Sequence, residues 1–339
     1  MSLKSAQIQS HLDSLAKSHG ALGRWEELAA HLCRIEQSTA PEIRPAELLV
    51  FAADHGFALS GIGDAARGMT TVMMEQMAIG GTVAAVVAES YGIDRRVVDV
   101  GAARPARISH PKLANRSVRM GTDDISHAPA MSLSELRESW KIGMDEARMA
   151  QLRGSKVLIL GAMGTGGELV ASCLARLLAD APLDSVWDTE STPLFSEPAA
   201  ARSLIESATD RVLQRSGYEI DDAGLAEVCG LEIIAMAGAI AQAAKQRQVV
   251  LLDGVVSTSA ALIAERMVPG SVGSMIAAGR SGTRIHDLML EKLGLSPYLN
   301  WNIRQDEGSN ALALYPLLLG AAAWCRKTIP TSELIFPNP

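Results

Sequence analysis

Residues 156–179 read KVLILGAMGTGGELVASCLARLLA. After Lys156 the opening run is apolar at every position, the pattern of a short strand buried on both faces. Glycines at 161, 164, 166 and 167 follow, and a helix is predicted from about Glu168 to Ala179. A strand, a glycine turn and a helix in direct succession form the repeating unit of an α/β protein. The backbone N–H groups of Gly161, Gly164, Thr165, Gly166 and Gly167, with the helix N-terminus behind them, can surround a phosphate or another anion. The same residues also suit a purely structural tight turn. No Lys-Ser/Thr pair follows, so this is not a Walker loop, and the GxGxxG dinucleotide spacing is absent.

Outward from this unit, three more apolar runs read as strands: Leu48 to Ala53, Arg96 to Gly101 and Val249 to Leu252. Helices are predicted over Met69–Tyr91 with a bend at Gly80-Gly81, over Ser132–Arg153 with an SxxE start, and near 199–216, 222–246, 256–267 and 284–293. Residues 102–130 and 181–198 read as irregular. The alternation predicts an α/β fold, a mostly parallel sheet with helices on both faces, Rossmann-like. Leu22, Trp25, Leu28, Ala29 and Leu32 recur at helical spacing near the start, and an apolar stretch closes the chain. The helices at the two termini are expected to form a small helical subdomain, 1–45 together with 301–339, beside an α/β domain of 46–300.

Three strands end in an acid: Asp54 in AADHG, Asp99 in VVDVG and Asp253 in LLDGV. Ligands of open α/β sheets bind beyond the carboxyl ends of the strands, so the three acids can face one cleft. Equally, an Asp after a strand can cap a helix or a turn. His55 reads either as a satisfied turn residue or as a polar group in the cleft. Met69, Met73 and Met77 recur at helical spacing, with Met74 beside them, as core filler or as an apolar wall for a flat ligand. Glu307 stands just before the most apolar stretch. A carboxylate beside a hydrophobic helix has a raised pKa, which suits a general base; an exposed acid at a helix start is the commoner use of such a residue.

Composition narrows the classes. The 339 residues are 48% hydrophobic and 20% charged, which gives a globular chain with ample core. Aromatic residues are only 4%, so small aliphatic side chains do most of the packing. A net charge of −7 without a Lys/Arg run offers little footprint for nucleic acid. Cys33, Cys173, Cys229 and Cys325 show neither CxxC spacing nor a disulfide framework, and reduced buried thiols are expected. The N-terminal stretch MSLKSAQIQSHLDSL has no apolar core of a signal peptide. The uncharged run Ala311–Cys325 falls short of the ~20 residues of a membrane span, so a cytoplasmic chain without a membrane partner is expected.

With these motifs together, the chain resembles the nicotinate-nucleotide:dimethylbenzimidazole phosphoribosyltransferases. The resemblance runs through LGRWEELAAHLCRIE (22–36), FAADHGFALSGI (51–62), MTTVMMEQMAIGGT (69–82), RVVDVGA (96–102), GAMGTGG (161–167), the long block GLEIIAMAGAIAQAAKQRQVVLLDGVVSTSAALIA (230–264), KLGLSPYLN (292–300) and DEGSNALALYPLL (306–318). It implies a large α/β domain with a small domain of terminal helices, working as a homodimer without metal or other cofactor. It implies transfer of phosphoribose from nicotinate mononucleotide to an aromatic base, with inversion to an α-ribotide and release of nicotinate, in cobamide lower-ligand assembly. The family's catalytic glutamate lies in GEG[TS]G, which matches 306–310 and makes Glu307 the expected base. The glycine loop would hold the 5′-phosphate, with Arg202 in place of the family's lysine. Asp54, His55, Met73, Met77, Asp253, Gly254, Arg304, Gly308 and Ser309 complete the expected substrate-binding set.

The chain also departs from the family pattern. The loop usually reads GEMGIGNTT and here reads Gly161-Ala-Met-Gly-Thr-Gly-Gly-Glu-Leu169. The family's SHRS segment reads Ala278-Gly279-Arg280-Ser281, the Val-Ser-Ala-aromatic-Pro entry to the base pocket is Ile62–Ala66, and a later Phe is Met77. These changes keep three alternatives open: a non-catalytic paralogue that binds a nucleotide or heterocycle, one subunit of a heteromeric transferase with another base or donor, and a different α/β enzyme acting on another phosphorylated sugar.

Overall fold

The computed structural model describes residues 4–58, 68–186, 198–217 and 219–334. Its elements run α1 (Ser5–Ser14), α2 (Arg24–Glu36), β1 (Ala46–Ala53), α3 (Met69–Ile79), α4 (Val83–Ser90), β2 (Asp94–Gly101), β3 (Leu113–Asn115), α5 (Leu133–Leu152), β4 (Val157–Met163), α6 (Gly167–Leu178), α7 (Leu183–Val186), α8 (Pro198–Ser216), α9 (Asp222–Val228), α10 (Leu231–Lys245), β5 (Val249–Leu252), α11 (Val255–Met267), β6 (Met275–Ala277), α12 (Arg284–Leu293) and α13 (Ser309–Lys327). The six strands form one sheet in the order β3-β2-β1-β4-β5-β6, and every pairing is parallel. This is the doubly wound α/β architecture that the alternation of strands and helices predicts.

Strand alternation sorts the core into two layers. Leu49 and Phe51 of β1, Leu158 and Leu160 of β4, and Val250 and Leu252 of β5 share one cluster with side chains of α5, α6, α10, α11 and α12. Leu48, Val50, Val157, Ile159, Val249 and Leu251 point the other way, into a cluster with α1, α2, α3, α4 and α13. The terminal helices therefore cover one face of the sheet. They are also tied to each other: Leu15 pairs with Pro330, and Ala16 N–H donates to the Ile329 carbonyl. The connection from β1 to β2 runs through α3 and α4 on that face. Those into β4, β5 and β6 run through α5, α10 and α11 on the opposite face. The winding reverses between β1 and β4, the switch point beyond whose strand carboxyl ends doubly wound sheets bind their ligands.

Several expectations are adjusted. The stretches that hold β3 and β6 read in the sequence as irregular and glycine-rich; both are three-residue edge strands, too short for an alternation to show. The helix expected over 222–246 is two helices, α9 and α10, divided at Cys229-Gly230, where Gly230 is extended at the start of α10. The bend expected at Gly80-Gly81 is a full break: Gly80 is left-handed, and the Thr82 side chain caps the start of α4. Among the described residues, Met69–Ser90 is apolar enough to pass as a membrane span, with mean hydropathy 1.4, but this break divides it and half of it is buried in the protein. α5 starts on the expected box, the Ser132 hydroxyl accepting from Glu135 N–H and the Glu135 carboxylate accepting from Ser132 N–H.

Candidate active site

The segment before α13 lies directly on β4. Ala162 N–H donates to the Asp306 carbonyl at 2.7 Å. A Cβ on Gly161 would stand 2.6 Å from the Glu307 carbonyl carbon and 3.0 Å from Gly308 N, so only glycine at 161 lets the two backbones touch. Gly308 follows in the left-handed conformation at φ +94°, which turns the chain into α13. Glu307 is thereby fixed at the carboxyl end of β4 and is 7% exposed. Burial raises its pKa, while hydrogen bonds from Gln305 and Thr82 oppose the rise. Among the described residues its Oε2, itself enclosed, has no hydrogen-bond partner. A buried carboxylate with one unpartnered oxygen and a raised pKa is equipped to take a proton from a ligand.

Asp54 and Asp253 follow their strands, whereas Asp99, expected at a strand end, lies inside β2; all three are occupied by the protein's own donors. Asp253 Oδ2 accepts Gly308 N–H at 2.8 Å, and its Oδ1 accepts Asn310 N–H at 2.6 Å and Ala311 N–H at 3.1 Å. Asp253 thus caps α13, and burial pushes its pKa up to about 7 against those N–H groups. Asp54 takes the Thr70 hydroxyl and Ala103 N–H; Asp99 takes Gly101 and Ala102 N–H. The expectation of three acids facing one cleft gives way to three tethers that hold the loops around it. Asp306 lies beside the start of α11: burial and the neighbouring Glu168 and Asp253 carboxylates raise its pKa, Val256 N–H opposes the rise, and its Oδ1 would be 2.5 Å from a Cβ on Gly254.

α6 differs from α13, because its start meets no side-chain cap among the described residues. Gly166 is left-handed there, and Gly164 lies so close to β1 that a Cβ would be 1.8 Å from the Ala53 carbonyl. The loop Gly164–Gly167 rests on His55 and Phe57, whose rings stack at 5.7 Å. His55 Nε2 meets Glu232 Oε1 at 3.0 Å, both residues buried, and the Glu232 carboxylate raises the His55 pKa although burial opposes it. His55 is therefore a buried support under the loop, at the start of α10. Beside the α6 start, burial raises the Glu168 pKa and the positive charge of Arg304 opposes it.

Met77 is fully buried in the layer that carries α13, and Met73 packs against its edge. Ser309 opens α13, and its hydroxyl has no partner among the described residues. Arg202 stands apart. Its Nη2 pairs with Asp184 at 2.6 Å, and Ala181 N–H ties the chain leading to Asp184 to the Ala175 carbonyl, at the far end of α6 from the glycine loop. The segment expected as the base-pocket entry, Ile62–Ala66, lies outside the described residues. Thr82, Glu168, Glu232 and Asp306 were not among the expected site residues. Their places follow from contacts between segments distant in the chain.

A phosphoribosyltransferase family model matches residues 3–333. The chain belongs to this phosphoribosyltransferase family. It is accordingly an enzyme of the pentosyltransferase class. Nicotinate-nucleotide--dimethylbenzimidazole phosphoribosyltransferases from Ralstonia nicotianae and Shewanella loihica are 34% and 33% identical to it, covering 95% and 97% of this chain and 90% and 95% of theirs. The crystal structure of CobT from Thermus thermophilus superposes with a TM-score of 0.90 at 30% identity over 97% of both chains. The phosphoribosyltransferase fold therefore extends over nearly the whole chain, the glycine loop and the Glu307 segment included.

Proposed function

We propose that the enzyme transfers phosphoribose from nicotinate mononucleotide to dimethylbenzimidazole or a related flat base, giving an α-ribotide and nicotinate for cobamide lower-ligand assembly. The observation that carries this reading is Glu307: buried on β4, raised in pKa, and without a hydrogen-bond partner at Oε2 among the described residues. The α6 start and loop N–H groups would receive the 5′-phosphate. Arg304, facing the same helix start, is the better candidate than Arg202 for its counter-charge.

In the reaction, the unprotonated ring nitrogen of the base attacks C1′ from the face opposite nicotinate. The C1′–N bond to nicotinate breaks as the new bond forms, and its electron pair leaves with the nicotinate nitrogen. The proton on the other nitrogen of the attacking ring passes to Glu307 Oε2, so the ribotide does not keep the charge that alkylation creates. The α/β unit of 46–300 would carry the donor side, while the terminal segments, 1–45 and 301–339, would supply Glu307 and its helix.

We read the enzyme as a cytoplasmic homodimer without membrane or nucleic-acid partners. Val72, Ile79, Val83 and Val86 form an exposed apolar strip along α3 and α4, a face that a second copy can cover. Sedimentation velocity decides the oligomeric state. The functional test is nicotinate release from nicotinate mononucleotide, with and without dimethylbenzimidazole, in the wild type and in Glu307→Gln. Base-dependent release is expected, with kcat ~10²–10⁴-fold lower in the folded variant. Equal turnover in Glu307→Gln would refute the proton-transfer role.

A further inference from the structure

Asn310, the second residue of α13, is 1% exposed and ties together three segments. Its backbone N–H donates to Asp253 Oδ1 at 2.6 Å, just beyond β5. Its side-chain Nδ2 donates to the Ile303 carbonyl at 3.1 Å and so closes the loop 303–310, which carries Glu307. Its Oδ1 has no hydrogen-bond partner among the described residues. Because the Ile303 carbonyl needs a donor, the amide cannot be turned over. The oxygen is left facing Gly279, two residues beyond β6. A Cβ on Gly279 would stand 2.1 Å from Asn310 Oδ1, 2.5 Å from its Cγ and 2.9 Å from its Cβ. The Cα hydrogen that a side chain would replace therefore points at Oδ1, and a weak C–H···O contact is what the oxygen receives. The stretch around Gly279 is itself bound to the segment that leads into the Glu307 loop: Leu299 N–H donates to the Ala278 carbonyl and Arg280 N–H to the Leu299 carbonyl, both at 2.9 Å.

We propose that Asn310 is the positioning residue of the catalytic base: its amide fastens both ends of the Glu307 loop, and the glycine at 279 is the space that this amide requires. The proposal rests on the reading of Glu307 as proton acceptor. The backbone ties of the loop lie at its downstream half, where Ala162 N–H meets the Asp306 carbonyl and Gly308 N–H meets Asp253. The upstream arm, Arg304-Gln305, is exposed, and the Asn310 side chain anchors it at Ile303. Two departures from the family pattern become one exchange at this contact. The pattern has glycine at 310 and histidine at 279, and this chain has Asn310 and Gly279. A side chain at 279 and the asparagine at 310 cannot share the space, so here the contact is filled from the α13 side.

The experiment uses the full chain. Turnover and KM for nicotinate release are measured in wild type, Asn310→Ala, Asn310→Gly, Gly279→Ala and the double variant Gly279→Ala/Asn310→Gly, with folding checked by circular dichroism. Asn310→Ala removes the amide and keeps a good helix former. Its kcat should fall about tenfold with KM unchanged, because the displaced group serves the transition state. A merely structural role would lower the unfolding midpoint and leave kcat alone. Gly279→Ala should push the Asn310 amide off Ile303 and lose at least as much. In the Asn310→Gly background the same methyl group loses all three of its close contacts and should change kcat by less than about twofold. An unchanged kcat in Asn310→Ala, or equal losses from Gly279→Ala in both backgrounds, overturns the proposal. Should Asn310→Gly not fold, Asn310→Ala decides alone. Labelling with 13C-carboxyl glutamate gives a readout besides activity: the Glu307 resonance, identified by its loss in Glu307→Gln, should move in Asn310→Ala and in Gly279→Ala. A wild-type protein that releases no nicotinate would sink the functional reading, whereas an unmoved Glu307 resonance would sink the role of Asn310.

Discussion

Replacing Gly161 by alanine tests how tightly the loop of Glu307 is held to the sheet. The new methyl group would start 2.6 Å from the Glu307 carbonyl carbon, 2.9 Å from its oxygen and 3.0 Å from Gly308 N. All three are backbone atoms, so no side chain can swing aside. To reach ordinary contact at 3.4 Å, the loop must rise by about 0.8 Å. That movement stretches the 2.7 Å bond from Ala162 N–H to the Asp306 carbonyl and lifts Glu307 with it. Overpacking of this kind costs about 1–3 kcal/mol in stability. A catalytic group misplaced by about 1 Å loses up to ~10²-fold in rate. Gly161→Ala is therefore expected to fold, to unfold at a lower denaturant concentration, and to lose ~10–100-fold in kcat for nicotinate release. Gly273→Ala is the control, because a Cβ there meets nothing within 4 Å. A Gly161→Ala enzyme with a kcat within about twofold of wild type would refute the reasoning, since either the loop is not seated on β4 or Glu307 does not do the chemistry.

The remaining predictions concern Asp253 and His286. Asp253→Asn turns an amide N–H toward Gly308 N–H; losing one bond to a charged acceptor should cost about 1.5–3 kcal/mol by denaturant titration and lower kcat through the displaced Glu307. His286 accepts Ser281 N–H on Nδ1 and meets the Thr258 hydroxyl through Nε2, and burial lowers its pKa to about 4. Its folded pKa lies below the unfolded 6.5, so its contribution is complete above pH 6.5 and is lost as pH falls toward 4, about 3 kcal/mol in all. Asp253 acts in the opposite sense. Its folded pKa of about 7 lies above the unfolded 3.8, so stability falls as pH rises between those values. The two slopes oppose each other between about pH 4 and 6.5, where unfolding free energies of the variants separate them. His286→Gln should show stability falling with rising pH, and Asp253→Asn should show it rising. Parallel curves for the two variants would contradict both assignments.

Much of the fold was legible because strands buried on both faces must be apolar at every position, and Leu48–Ala53, Lys156–Leu160 and Val249–Leu252 are, after the leading lysine of the second. The caps were legible where they are local, as at Ser132 and Glu135. β3 and β6 were not, because three residues at a sheet edge are specified by the strand beside them. At the site, Glu307 was legible as an acid before an apolar helix. The role of Asp253 was not, because the helix it caps starts far downstream.

The residue pattern by itself thus determined the α/β grammar, the glycine loop at the head of α6 and the identity of the candidate base, since each is a matter of period and near neighbours. Only the tertiary structure decided that Asp253, at the end of β5, caps the start of α13. The same holds for His55 and Glu232 beneath the loop and for Arg202 turned to Asp184. Each of these depends on how segments pack in space. Burial there removes water as a partner, so which donor meets which acceptor is fixed by packing and leaves no periodic trace in the sequence.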